Sequence, residues 1–318
     1  MKPNRLYILT AILLLAAFAG CQREALPSDG EPLTFSVSVA PMAGENGDKT
    51  GESTKATLYN TLDLDAIRSQ TMNVWAYQHD APYTAMFENK EATYNSTLSK
   101  WQLSEEQMWK KNVAADFFAS ACIPSSYASV TANHSGITYS VTDITKAQTD
   151  ALLGLAINQD KANSTDSGSV ALKFSHPYAA VKVKVGTMEG VSSISKIEFS
   201  GIYGSGNTTL AGVNEDSNNI QQYSWDTTDS ENATLSLTDL TLTGTSDALL
   251  VIPQTLSTKS ATLTVTTDLN IRLTCNISTG EWKAGYVTTY KINISAIGIT
   301  VTVDSWSPDS SKHDVEVR

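Results

Sequence analysis

Cysteine and histidine are scarce in this chain: three of the first and four of the second in 318 residues. Cys122 and Cys275 lie far apart, each at the end of an apolar alternation, where a buried free thiol fits. A bridge between them would have to join the two halves of the chain, so whether they pair stays open, and no disulfide framework can be read. His79, His134, His176 and His313 share no ligand spacing, and HExxH is absent, so no metal is expected. A GxSxG elbow, a phosphate loop and an acidic calcium loop are missing too. The carboxylate pairs Asp63/Asp65 and Glu105/Glu106 sit in polar stretches, as solvated surface does, and receive no catalytic role. The expectation is therefore a protein that is not an enzyme and needs no cofactor. Positive charge is also short: 22 Lys and Arg against 33 Asp and Glu give a net charge of -11 and a pI of about 4.8. That excludes the basic surface that nucleic acid demands.

What is present begins at the N-terminus. Met1-Lys2-Pro3-Asn4-Arg5 is a short basic stretch, and residues 6–18 are an apolar run ending in Ala19 and Gly20. This is a signal-peptide pattern. The run is short for a membrane span, which needs ~20 apolar residues, and polar Gln22-Arg23-Glu24 follow. Phe18-Ala19-Gly20-Cys21 resembles a lipobox, so Cys21 is the expected lipidation site. A plain secretory signal with Cys21 nearby by coincidence is the competing reading. Two or three acyl chains on one residue hold a protein stably at a membrane, at ~0.8 kcal/mol per buried methylene.

Residues 26–56 are rich in Ser, Gly, Pro, Glu and Asp, like a tether. One alternation interrupts it: Leu33, Phe35, Val37 and Val39 point one way and Thr34, Ser36 and Ser38 the other, so residues 33–39 read as a strand with one buried face. Beyond Lys55 the period of two recurs in residues 72–77, 116–121, 170–174, 180–185, 194–199, 261–266, 290–294 and 299–303. Helical signals are confined to short turns at 61–67 and 145–153. Many short strands between turn residues predict an all-β protein of two β-sandwiches. The expected divisions are 1–20 signal peptide, 21–56 lipidated tether with the isolated strand, 57–187 first sandwich and 188–318 second. His176 is expected to be structural, bridging backbone groups. Of six tryptophans most lie in strands and should anchor cores, whereas Trp225, in a Ser/Asn/Asp-rich segment, is the candidate for stacking on a surface glycan.

Several segments in order resemble the fimbrillin-like lipoproteins, the pilin family of type V fimbriae. They are Ser53-Thr54-Lys55-Ala56-Thr57, Asn73-Val74-Trp75-Ala76-Tyr77, Trp109 with Asp116-Phe117-Phe118-Ala119, Leu172-Lys173-Phe174-Ser175-His176, Leu249-Leu250-Val251-Ile252-Pro253-Gln254, Trp282-Lys283-Ala284-Gly285-Tyr286 with Tyr290, and Gly298-Ile299 with Trp306. The resemblance implies two transthyretin-like sandwiches in tandem and an outer-membrane lipoprotein at the cell surface, with other fimbrial subunits as partners and an unspecified surface ligand. It also implies that the precursor loses its first strand by cleavage after a basic residue and that a neighbouring subunit's strand replaces it. Here the removable strand would carry Leu33, Phe35, Val37 and Val39, and Lys49 or Lys55 would be the cleavage position. Stalk subunits of this kind prefer arginine there, so the lysines depart from the pattern. The tail offers only Val315 and Val317 as donor knobs, which makes it a weak donor. Asp226-Thr227-Thr228 also resembles an O-glycosylation signal, with a plain surface loop as the alternative. A monomeric glycan-binding lipoprotein using Trp225 is the competing function.

Lipidation at Cys21 has a direct test. Cys21→Ala should abolish incorporation of labelled palmitate and move the protein out of the membrane fraction. Label retained on the variant would remove the lipobox reading.

Overall fold

The computed structural model describes residues 28–40, 42–43, 67–162, 168–217, 219–295, 298–305 and 314–315. In chain order the strands are β1 (Ser28–Pro32), β2 (Thr34–Val39), β3 (Met72–Gln78), β4 (Ala85–Asn95), β5 (Lys100–Leu103), β6 (Met108–Lys110), β7 (Ala115–Ala121) and β8 (Ala128–Asn133). Then come β9 (Gly136–Val141), β10 (Leu152–Gln159), β11 (Ser169–Ser175), β12 (Ala179–Met188), β13 (Ile194–Tyr203), β14 (Gly206–Leu210), β15 (Trp225–Asp226) and β16 (Asn232–Leu237). Last are β17 (Leu249–Val251), β18 (Gln254–Thr255), β19 (Thr262–Thr267), β20 (Arg272–Asn276), β21 (Glu281–Trp282), β22 (Val287–Ser295), β23 (Gly298–Ser305) and β24 (Asp314–Val315).

In the first half the ladder β10-β11-β2-β5-β4-β3-β7 closes on itself as a barrel. The second half packs the sheet β17-β12-β22-β23-β24 against the sheet β16-β13-β19-β20, sharing the core of Val181, Val183, Phe199, Leu263, Tyr290 and Ile292. A third sheet, β15-β14-β9-β8, takes two strands from each half, with Gly206 to Leu210 paired antiparallel to Val141 to Ile137. The all-β class is as the alternation predicts.

Three apolar layers result rather than two. The barrel interior holds Phe35, Val74, Phe117, Trp109 and Phe174. On the other face of the same strands Trp75, Phe118 and Leu153 meet Tyr139, Tyr178, Ala180 and Leu250 in a middle layer. Strands covered on both faces carry near-continuous apolar runs instead of alternating ones, which is why Asp116-Phe117-Phe118-Ala119 has adjacent phenylalanines in different cores.

Two details differ from the expected layout. The division drawn at 187 cuts through β12, which pairs antiparallel with β17 and parallel with β22. The change of sheet falls instead between β11 and β12, where Pro177 cannot donate a ladder hydrogen bond. At 145–153 the helical turn is reduced to two amides, Lys146 and Ala147, donating to Asp143 O at 3.2 and 3.0 Å, after which Leu152 enters β10. Of the turn expected at 61–67 only Ile67 lies within the described residues, where it and Arg68 are helical.

Phe117 is the hub of the barrel interior, with Phe35, Phe87 and Trp109 rings at 5.9, 6.4 and 6.1 Å from its own. Phe117→Ala should lower unfolding stability by ~3–5 kcal/mol, the usual range for a buried aromatic truncation. Leu98→Ala, at a residue 50% exposed, should stay within ~0.5 kcal/mol. Urea denaturation of both variants checks this pair.

Candidate functional site

β2 occupies a slot between β11 and β5. It runs parallel to β11 from Thr34 opposite Ser169 to Val39 opposite Phe174, and antiparallel to β5 at Thr34/Gln102 and Phe35/Trp101. Leu33, Phe35 and Val39 are buried in the barrel core, with Val37 half-buried against it. Phe35 meets Phe117 edge-on at 73°, and Thr34 and Ser169 share a buried hydroxyl hydrogen bond of 2.7 Å. The backbone is tied at both ends of the strand: Leu33 N donates to Gln107 O at 2.7 Å and Ala40 N to Phe174 O at 2.9 Å. Ahead of it, β1 pairs with β6.

At ~1.5–3 kcal/mol for each fully buried apolar side chain, the three knobs contribute about 5–9 kcal/mol. A whole domain is stable by only ~5–15 kcal/mol. An emptied slot would therefore forfeit a large share of that stability until another strand filled it. Past Phe35 the β5 edge of β2 gives way to a cleft of about 110 Å³ lined by Val37, Ile67, Arg68, Tyr94 and Trp101, with the Arg68 guanidinium 4.8 Å from the Tyr94 ring centre.

The exit from the slot is held by a buried polar pair. The His176 ring donates through Nε2 to the Ala40 carbonyl at 2.9 Å, and its Nδ1 lies 3.0 Å from Asp150 Oδ1. Both side chains are inaccessible to solvent, at 1% and 0%. The structural role expected for His176 is met, with one backbone partner and one carboxylate in place of two backbone groups. Nearby, the hydroxyls of Tyr139 and Tyr178 are joined at 2.7 Å, and burial pushes both far above the usual tyrosine range. From Ala40 the chain enters the junction between the halves: Met42 is buried in the middle layer, and Ala43 bridges parallel to Tyr286.

The other candidate residues fall as follows. Cys21, Lys49 and Lys55 lie outside the described residues, as do Asp63, Asp65 and His313. Trp225 is half-buried, its indole N–H donates to Pro177 O at 2.9 Å, and its ring stacks on Tyr178 at 5.9 Å and 16°. A ring so placed seals the middle layer, and its position lends no support to a glycan contact. Asp226 accepts from the Thr228 hydroxyl and amide at 2.8 and 3.1 Å, which hold its carboxyl below the ordinary range in a tight local turn. Cys122 and Cys275 are free thiols in different cores, and burial raises Cys275 to about 11. Glu105 is engaged by Lys90 at the surface. Of the tail, Asp314 and Val315 form β24 on the edge of β23, opposite Thr302 and Val301, and Val317 lies outside the described residues. Among the described residues no three His, Cys, Asp or Glu side chains are grouped to hold a metal.

Sequence reasoning missed Met42 and Ala43, because they follow Pro41 in a tether-like composition and a single methionine makes no period. It also missed that His176 and Asp150 act on the end of β2, since 136 residues separate the ring from its carbonyl partner. His176→Leu should remove the hydrogen bond to the Ala40 carbonyl and the imidazole beside the buried Asp150 carboxyl, at a cost of about 1–3 kcal/mol. Amide exchange across residues 39–43 should then be roughly tenfold faster or more, with the second-half core unaffected.

The family model described as fimbrillin-like matches residues 54–306. Among solved structures, a candidate cell adhesion protein from Bacteroides uniformis is similar over 87% of this chain and 99% of its own, at 14% identity and a TM-score of 0.52. A second from Bacteroides ovatus is similar over 88% and 99%, at 13% identity and a TM-score of 0.53. Identities this low speak to the fold alone. No curated protein is similar enough in sequence to count as a relative.

Proposed function

The chain belongs to the fimbrillin-like family, and from that premise we propose that it is a cell-surface fimbrial subunit that assembles with other subunits by strand exchange and serves adhesion without catalysis. The observation that carries this reading is β2: a short strand from the N-terminal segment that is paired on both edges and fills the first core.

The proposed sequence of events follows from the chain order. A lipid on Cys21 brings the precursor to the outer membrane. Lys49 and Lys55 both lie between Ala43 and Ile67, so a cut after either separates residues 28–43 covalently from the rest of the barrel. Departure of that segment exposes the β11 and β5 edges together with the pockets of Leu33, Phe35 and Val39. A strand from a neighbouring subunit restores both ladders and the buried area, which is β-strand addition in its most complete form. Such head-to-tail contact is heterologous and need not close, and unclosed it extends into a fibre. Where neither lysine is cut, the Cys21 lipid remains as the permanent attachment and the chain serves as an anchor or a solitary adhesin. The solved likenesses assigned to cell adhesion share this fold, which is consistent with the adhesive role.

Mass spectrometry of protein shaved from assembled surface material tests the processed form. The expected N-termini are Thr50 or Ala56, free of lipid. An acylated Cys21 on every assembled copy would exclude processing.

A further inference from the structure

Ala40, Met42 and Ala43 extend the occupied site beyond the barrel. The Ala40 carbonyl accepts from His176 Nε2, and Met42, 3% exposed, sits in the middle layer with Tyr178, Ala180 and Val287. Ala43 spends both its backbone groups on the second half: its N–H donates to Gly285 O at 2.8 Å, and its carbonyl accepts from Val287 N at 2.9 Å. Gly285 presents that carbonyl from a left-handed turn (φ +72°) in which a Cβ would lie 2.6 Å from Ile220, so the docking point is built into the fold. A segment that left with β2 would empty the Met42 socket as well and orphan the His176 N–H, the Gly285 carbonyl and the Val287 N–H together. A replacement strand ending at the position of Val39 would leave all of these open, and buried polar groups without partners are strongly disfavoured.

We propose that the acceptor site is in two parts, a barrel slot and a junction socket, and that it fits a partner strand with apolar residues at i, i+2, i+6 and i+9. This rests on the strand-exchange reading above and specifies its partner. The positions correspond to Leu33, Phe35, Val39 and Met42, while i+4 is permissive because Val37 is only half-buried. The carbonyl at i+7 meets His176, a positioning residue that turns the strand toward the socket, and the residue at i+10 pairs with Gly285 and Val287. No segment within residues 298–318 has that spacing, so the strand the site fits is not drawn from those residues.

The experiment uses the full chain with a specific protease site placed within residues 44–55. The cut protein is unfolded in urea, refolded with excess synthetic peptide, and the retained peptide is followed by native mass spectrometry. A peptide of residues 28–43 should replace the resident segment and dissociate at least tenfold more slowly than the same peptide carrying Met42→Ser, or than a peptide of residues 28–40. His176→Gln in the protein should reduce that advantage. Equal retention of all three peptides would overturn the two-part site while leaving strand exchange standing. Failure of the 28–43 peptide to enter at all would overturn strand exchange itself.

Discussion

β2 is paired with β11 from Thr34 to Val39 and with β5 at Thr34 and Phe35, and this double pairing closes the barrel. A strand at the edge of an open sheet can be lost with damage to one ladder. A strand inside a closed one takes two ladders and a share of the core with it. Phe35 makes the dependence plain, because its ring is one wall of the aromatic cluster around Phe117, which in turn touches Trp109 and Phe87. Trp109 is fixed by its indole N–H to Gly168 O at 2.9 Å, directly before β11 begins. The core and the slot are thus one object, and a removable occupant is compatible with stability only when another takes its place.

The junction adds a second constraint. Tyr178, Ala180 and Leu250 face the middle layer, while their neighbours Ala179, Val181, Leu249 and Val251 face the core of the second half. β12 and β17 are in this way a wall shared by two cores. The β9 to β14 ladder and the Gln148 side chain, which exchanges hydrogen bonds with both backbone groups of Leu250 at 2.9 Å, tie the same wall to the first half. Met42 and Ala43 lie in this region, so the N-terminal segment touches both halves.

Much of this was legible in the chain. The alternation of residues 33–39 marked the strand and its buried face, and Val170, Leu172 and Phe174 marked its neighbour, because half-covered strands leave a period of two. Strands covered twice lose that period, which hid the middle layer, whereas residues 180–185 keep it, with Val181 and Val183 inward, and so look like the last strand of the first half. Residues 145–153 read as a helical turn for a related reason: their two leucines, Leu152 and Leu153, are adjacent and face different cores, so they show no period of two. Long-range pairs such as Asp150 with His176, or Ala43 with Gly285, leave no local trace at all. They are set by topology, and topology is not written in any window of sequence.

The direction of β2 has a mechanical consequence. Six consecutive residues, Thr34 to Val39, lie in register alongside β11, with ladder bonds running across the strand. A pull along a strand seated in this slot loads that ladder in shear, so its bonds bear the tension in common instead of opening one after another from an end. Because the slot has a fixed sense, parallel to β11 and antiparallel to β5, every joint made this way would bear force in the same orientation.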